Sequence, residues 1–164
     1  EARDISEYKV ELMQENFNRC HLNKAKAVAW DALEPDERWL GQADVVIADI
    51  PCSGLGVIGR KRDIKYKMTP QAVQDIVELQ EKILKVAASY VKKGGKLLFS
   101  TCTVNKDENE AHVKWIQDTL KMTPVSLNGT LPGLVHSPTT QQGFVQLIPG
   151  MQDTDGFFIS VFEK

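Results

Sequence analysis

Residues 44–49, Asp-Val-Val-Ile-Ala-Asp, constrain this chain more than any other stretch: an apolar, largely β-branched run closed at both ends by acids. Four apolar side chains in succession leave no face for water, so the run suits a parallel strand covered on both faces. Parallel strands need crossover connections, usually helices, and the sequence supplies them. Thr69–Pro70 opens a helix whose apolar face is Val73, Ile76, Val77, Ile83, Leu84, Ala87 and Val91. Pro70 stands at its first position and Gly94–Gly95 follow its last turn. Residues 96–100 (KLLFS) are again strand-like. Upstream, residues 6–19 read as a helix on the spacing of Tyr8, Leu12, Met13 and Phe17, with Ser6 as N-cap. Residues 26–30 form a short apolar run that ends in Asp31. Downstream, Asn105 and Glu108 have the spacing of a capping box for a helix carrying Ala111, Trp115 and Ile116. Residues 121–142, rich in Thr, Pro, Gly and Ser, read as a loop. Residues 144–148 and 157–162 read as two strands of a hairpin.

This alternation predicts an α/β fold with a mostly parallel sheet and an antiparallel edge. At 164 residues, 42% hydrophobic and 26% charged, the chain suits one globular core and excludes collagen-like, disordered and coiled-coil classes. No apolar run is long enough to span a bilayer and no signal peptide opens the chain, which predicts a cytoplasmic protein without a membrane partner. The three cysteines, Cys20, Cys52 and Cys102, form neither a disulfide framework nor paired zinc ligands, so a reducing compartment and no metal are expected. The net charge of −2 supplies no global field for nucleic acid, and any such partner needs a local patch.

In parallel sheets of this kind the ligand site lies beyond the carboxyl ends of the strands. Those ends carry Asp4, Asp31, Asp49 and Thr101–Cys102. An acid at the end of a second strand is how such folds hold ribose hydroxyls. The segment GLGVIG at 54–59 matches a dinucleotide-binding pattern, but the polar RKRDIKYKM follows where a helix is required, so it reads as a mobile loop. Cys52 lies in a tight turn, and a phosphatase would need an arginine where Ile58 stands. Both Cys52 and Cys102 follow strand ends and converge on one rim, whereas Cys20 reads as structural. Arg60, Lys61, Arg62, Lys65 and Lys67 against the single acid Asp63 make a phosphate clamp, with Tyr66 available for stacking on a base. His21, His112 and His136 lack ligand spacing and read as surface residues.

Three motifs carry a resemblance. ADIPCSGLG at 48–56, STCTVNKDENE at 100–110 and PGMQDTDGFF at 149–158 resemble the RNA cytosine-C5 methyltransferases. GVIGRKRDIKY is most similar to the bacterial Sun/Fmu branch, which modifies small-subunit ribosomal RNA. The resemblance implies a Rossmann-like, S-adenosylmethionine-dependent methyltransferase sheet. It implies Cys102 as the nucleophile that forms a covalent adduct at cytosine C6, Cys52 as the residue that assists product release, and Asp49 beside both cofactor and base. Asp4 matches the acid that holds the cofactor ribose and Asp31 the acid near its adenine. Pro51, Arg60, Lys61, Arg62 and Lys65 are expected to contact RNA. In this family a glycine-rich cofactor loop and a first strand precede the position of Asp4. Residues 1–164 are therefore expected to be the C-terminal portion of a catalytic domain, without that strand, with an incomplete cofactor cradle and without the N-terminal RNA-binding domain. Such a fragment is expected to be inactive alone. The alternative is a non-catalytic RNA-binding or assembly module that keeps the fold.

Overall fold

A computed structural model describes residues 1–130 and 138–164, so His136 lies outside the described residues. The chain divides into two compact units, Glu1–Glu37 and Arg38–Lys164. In the first unit, β1 (Ala2–Asp4), α1 (Glu7–Arg19) and β2 (Ala27–Ala29) form a parallel βαβ element, with Asp4 opposite Ala29. Arg3 fastens it: the guanidinium bonds the buried Asp36 at 2.6 Å and lies 4.9 Å from the centre of the Trp30 ring. The helix follows its predicted span but buries none of its residues; Tyr8 and Leu12 are exposed, and Met13 and Phe17 are half-buried. Ser6 precedes the helix without a side-chain cap bond, and its backbone N–H donates to Asp4 Oδ1 at 2.9 Å.

The second unit holds the larger sheet. Its elements are β3 (Ala43–Asp49), the short α2 (Ile64–Lys67), α3 (Pro70–Tyr90), β4 (Val91–Thr101), α4 (Glu110–Leu120), β5 (Thr123–Pro124), β6 (Phe144–Leu147) and β7 (Phe157–Glu163). The strand order is β3-β4-β7-β5, with β6 also on β7. β3 and β4 are parallel, joined by the α3 crossover, and β7 runs antiparallel to β4, β5 and β6. This is the α/β, Rossmann-like sheet with an antiparallel closing hairpin that the resemblance implies. Among the described residues of this unit, however, only the β3–β4 pair is parallel; the other three pairings, all made by β7, are antiparallel, so the sheet is not mostly parallel as expected. Thr69 caps α3 by accepting the Ala72 N–H at 3.1 Å, with Pro70 next in the chain. Ile83, Leu84 and Ala88 from α3 and Val113 and Ile116 from α4 join Leu97, Phe99, Phe158 and Phe162 of the sheet in one core. The Phe99 ring lies 5.7 Å from that of Phe158 and 5.8 Å from that of His112.

Several expectations need correction. β3 is not covered on both faces: Val46 and Ala48 turn toward the core, while Val45 is 59% and Ile47 69% exposed. The two-residue period puts 45 and 47 on a face that no element of this unit shields. His112 is not a surface residue. It is buried against Phe99, and its Nδ1–H donates to the Asp107 carbonyl at 2.9 Å, while burial holds its pKa below the ordinary value. Asn105 and Glu108 form no capping box: α4 begins at Glu110, the Asn105 side chain accepts the Asp107 N–H, and Glu108 points into the interior. Gly94 and Gly95 follow the helix, which ends at Tyr90, but they lie inside β4, and Val91 opens that strand instead of closing the helix face. A Cβ on Gly95 would come within 2.9 Å of the Ala43 and Asp44 carbonyls. Residues 121–142 are not wholly loop, since they contain β5 and the helical turn Thr140–Gln142.

Phe99 fills the centre of this core, so Phe99→Ala is expected to cost about 3–5 kcal/mol in urea unfolding. Tyr8→Ala, at an exposed site, should stay within about 0.5 kcal/mol.

Candidate active site

The site of interest in the second unit is built by one parallel strand pair. β3 ends at Asp49 and β4 at Thr101, and Asp49 lies opposite Ser100 in the ladder. The two chains therefore leave the sheet side by side, one into Ile50-Pro51-Cys52 and the other into Cys102-Thr103. Their sulfurs meet: Cys52 Sγ and Cys102 Sγ are 3.3 Å apart, a thiol–thiol hydrogen bond between half-buried side chains. Burial is the first cause that pushes the Cys52 thiol up to about 12, and the hydrogen bond and charge of Cys102 add to it. Cys52 consequently keeps its proton at neutral pH. Ser100 Oγ–H donates to Asp49 Oδ1 at 3.1 Å, which orients an otherwise exposed carboxylate at the same strand end.

Beneath the sulfurs is a buried polar network. Glu108, fully buried, accepts the Ser53 N–H at 2.8 Å, the Ser53 hydroxyl at 2.5 Å and the Gln80 amide at 3.0 Å. Gln80 also donates to the Pro51 carbonyl at 2.9 Å. Asn109 accepts the Thr101 hydroxyl at 2.7 Å and donates to the Thr103 carbonyl at 3.0 Å, bracketing Cys102. The glycine-rich segment is part of the same construction and not a mobile loop. It folds into a short turn (Leu55–Val57), the Gly56 N–H donates to the Cys102 carbonyl at 3.1 Å, and the Gly156 N–H donates to the Gly56 carbonyl at 2.9 Å. A Cβ on Gly56 would stand 2.5 Å from the Gly156 oxygen, so these backbones can approach only as glycines.

The basic segment beyond is exposed but partly neutralised. Arg60 pairs with Asp155 at 2.9 Å and Lys67 with Asp63 at 2.7 Å, which leaves Lys61, Arg62 and Lys65 as its outward charge. The Lys65 ammonium lies 4.8 Å from the centre of the Tyr66 ring. An open hollow of about 540 Å³ adjoins Arg60 and the turn 150–155.

In the first unit, Asp4 ends β1 and Asp31 stands two residues after β2. Asp4 Oδ1 accepts the Ser6 N–H and Oδ2 meets Lys9 at 3.1 Å, and this bonding, the Ser6 N–H foremost, holds its carboxyl below the usual range. Asp31 Oδ1 accepts the Leu33 N–H at 2.9 Å. Cys20 caps the end of α1 and is exposed. Among the described residues, no group of three or more His, Cys, Asp or Glu side chains is placed to hold a metal ion. No helix among them is long and apolar enough to cross a membrane.

A family model described as "16S rRNA methyltransferase RsmB/F" matches residues 1–163. The chain belongs to that family. Among curated proteins, it is 38% identical to the probable ribosomal RNA small subunit methyltransferase B of Bacillus subtilis, over 98% of this chain and 36% of that protein. It is 28% identical to ribosomal RNA small subunit methyltransferase F of Escherichia coli, over 99% of this chain and 34% of that one. The chain thus spans about a third of the length of these relatives. Among solved structures, PH0851 superposes with a TM-score of 0.82 at 26% identity, covering 99% of this chain and 36% of that one. NSun6 from Pyrococcus horikoshii, solved with SFG, gives 0.79 at 26% identity, covering 99% and 40%.

The strand ends carrying Asp49, Cys52 and Cys102 meet in this RsmB/F chain as the sequence order suggests, but the surrounding Ser53, Gln80, Glu108 and Asn109, and the close approach of Gly56 and Gly156, were not anticipated. One signal was available for Gln80. It interrupts the apolar stripe of α3 at core spacing, where an uncharged amide must find a buried partner.

The raised Cys52 thiol gives a stability signature. The folded state holds the proton that an unfolded thiol releases above its ordinary 9.0, so this contribution is complete below pH 9 and lost as pH rises toward 12. Cys52→Ser removes that titration. In thermal melts, wild type is expected to lose stability more steeply than Cys52→Ser across that window, with parallel curves below it.

Proposed function

We propose that this chain carries the nucleophile and release machinery of an S-adenosylmethionine-dependent methyltransferase that acts at cytosine C5 of small-subunit ribosomal RNA. The observation that carries the reading is the sulfur pair, Cys52 and Cys102, 3.3 Å apart beside Asp49 in a chain of the RsmB/F family. The names of the relatives support ribosomal RNA as the substrate class.

Cytosine C5 is a poor nucleophile because it belongs to an aromatic ring. In this reading, the Cys102 thiolate adds to C6, and the displaced π electrons make C5 an enamine carbon able to attack an electrophilic methyl. Asp49, oriented by Ser100, donates a hydrogen bond or proton from its carboxyl group to N3, where negative charge builds during addition. After transfer, the C5 proton leaves to a base, the C5–C6 double bond re-forms, and Cys102 departs as thiolate. Cys52, kept protonated, assists that departure by donating its S–H to the leaving sulfur.

S-adenosylmethionine supplies, when bound, a methyl on a positively charged sulfonium. The donor set present suits it. Asp4 is held ionised, and each of its oxygens retains acceptor capacity beyond Ser6 and Lys9, which fits the paired hydroxyls of a ribose. Asp31 is assigned to the adenine. Lys61, Arg62 and Lys65 give an exposed cationic strip for phosphates, with Tyr66 as a stacking surface and Pro51 beside Cys52 at the base. A base must leave its stack to reach the thiols, which favours unpaired RNA.

In the complete gene product with substrate RNA, Cys102→Ala is expected to abolish methylation, and Cys52→Ala to accumulate a protein–RNA adduct on denaturing gels. A methylating Cys102→Ala enzyme sinks the mechanism. Replacing Lys61, Arg62 and Lys65 with Gln should make the plot of log affinity against log salt shallower by about 0.7 per lost phosphate contact. An unchanged slope would remove them from the interface.

A further inference from the structure

The two sulfurs touch each other, and the Cys52 sulfur also meets the backbone of Gly54 and Cys102; the residue after each cysteine adds a second, side-chain tie between the loops. Ser53 follows Cys52, Thr103 follows Cys102, and the two hydroxyls are 2.8 Å apart. Their protons can be ordered. The Asn105 N–H donates to Thr103 Oγ1 at 3.2 Å, Thr103 donates to Ser53, and Ser53 donates to Glu108 Oε1 at 2.5 Å. Glu108 Oε1 and Thr103 Oγ1 stand 3.5 Å apart, and the other carboxylate oxygen takes the Ser53 N–H and the Gln80 amide. Among the described residues no cation pairs with this fully buried group. Its oxygens are satisfied by hydrogen-bond donors alone, an arrangement that is costly unless each donor is held in place. Those donors come from the Cys52 loop, from the network that includes the Cys102 loop, and from α3.

We propose that Glu108 is a positioning residue: acting through Ser53 and Thr103, it holds the two cysteine loops at the separation at which Cys52 assists expulsion of Cys102 from its RNA adduct. The inference rests on the reading of Cys102 as nucleophile and Cys52 as its release partner. Methyl transfer asks only that Cys102 reach the base. Release asks that both sulfurs stay together. Loosening the clamp should therefore damage release more than transfer, an asymmetry that a general loss of folding would not produce.

The variant is Glu108→Gln, which keeps the shape but replaces one acceptor with a donor facing Ser53 and Gln80. In the complete gene product, with substrate RNA and S-adenosylmethionine, the expected result is first-turnover methyl incorporation within about threefold of wild type and multiple turnover down by about tenfold or more. A denaturation-resistant protein–RNA adduct should accumulate, and Glu108→Gln added to Cys52→Ala should increase it little. Partial rescue of turnover is expected from Glu108→Asp. If Glu108→Gln does not fold, Ser53→Ala and Thr103→Val cut the same chain of hydroxyls and should show the same bias toward trapped adduct. The proposal is overturned if folded variants lose transfer and release in parallel without adduct, or if they turn over like wild type. Failure of the underlying reading looks different: Cys102→Ala would then still methylate, whatever Glu108 does.

Discussion

The parallel ladder that sets Ala48 against Phe99 and Asp49 against Ser100 governs the distance between the two loops that carry Cys52 and Cys102. A parallel pair sends both chains off the sheet at the same end, so two thiols fifty positions apart in sequence emerge as neighbours. The ladder depends in turn on the core beneath it. Phe99 anchors β4 between Phe158 and His112, while Ala48 and Ile50 seat β3 in the same apolar cluster. Gly56 and Gly156 complete the construction: the Gly56 N–H reaches the Cys102 carbonyl and a third backbone segment, at Gly156, reaches the Gly56 carbonyl, an approach that a side chain at either position would block.

Electrostatics divides the labour at this strand end. Burial keeps Cys52 protonated, with its sulfur in hydrogen-bond contact with that of Cys102. Glu108 lies fully buried among donors, while Asp49 stays exposed with a single oriented contact from Ser100. Two carboxylates close in sequence space to the cysteines thus occupy opposite environments, one committed to the scaffold and one open to a ligand. The basic segment shows a similar split: Arg60 and Lys67 are spent on Asp155 and Asp63, and the exposed remainder faces outward.

Much of this was legible in the sequence, for reasons that can be named. The β-branched run at 44–49, the bracketed helix after Thr69 and the closing hairpin encode their structures locally, and each forms close to its expected span. The strand-end cysteines and Asp49 were readable because α/β topology alone predicts which end of the sheet they share. What stayed hidden depends on contacts distant in sequence. Glu108 has the spacing of a helix cap, and only the arrival of Ser53 from a loop fifty-five positions away draws it inward. His112 looks like a polar surface residue until Phe99 supplies a ring to stack on. The exposure of Val45 and Ile47 contradicts a run that reads as buried, because strand composition reports what a face could cover and not what covers it.

The central claim is that Cys102, and not its neighbour 3.3 Å away, forms the bond to cytosine. The most direct measurement is mass-spectrometric mapping of the adduct formed by the complete gene product with RNA that carries 5-fluorocytidine at the target. Fluorine at C5 cannot leave as the proton does, so the C6–S bond persists after methyl transfer. The account predicts that the RNA-bearing peptide contains Cys102. An adduct on Cys52, or methylation of normal RNA with no adduct on either cysteine, would contradict it.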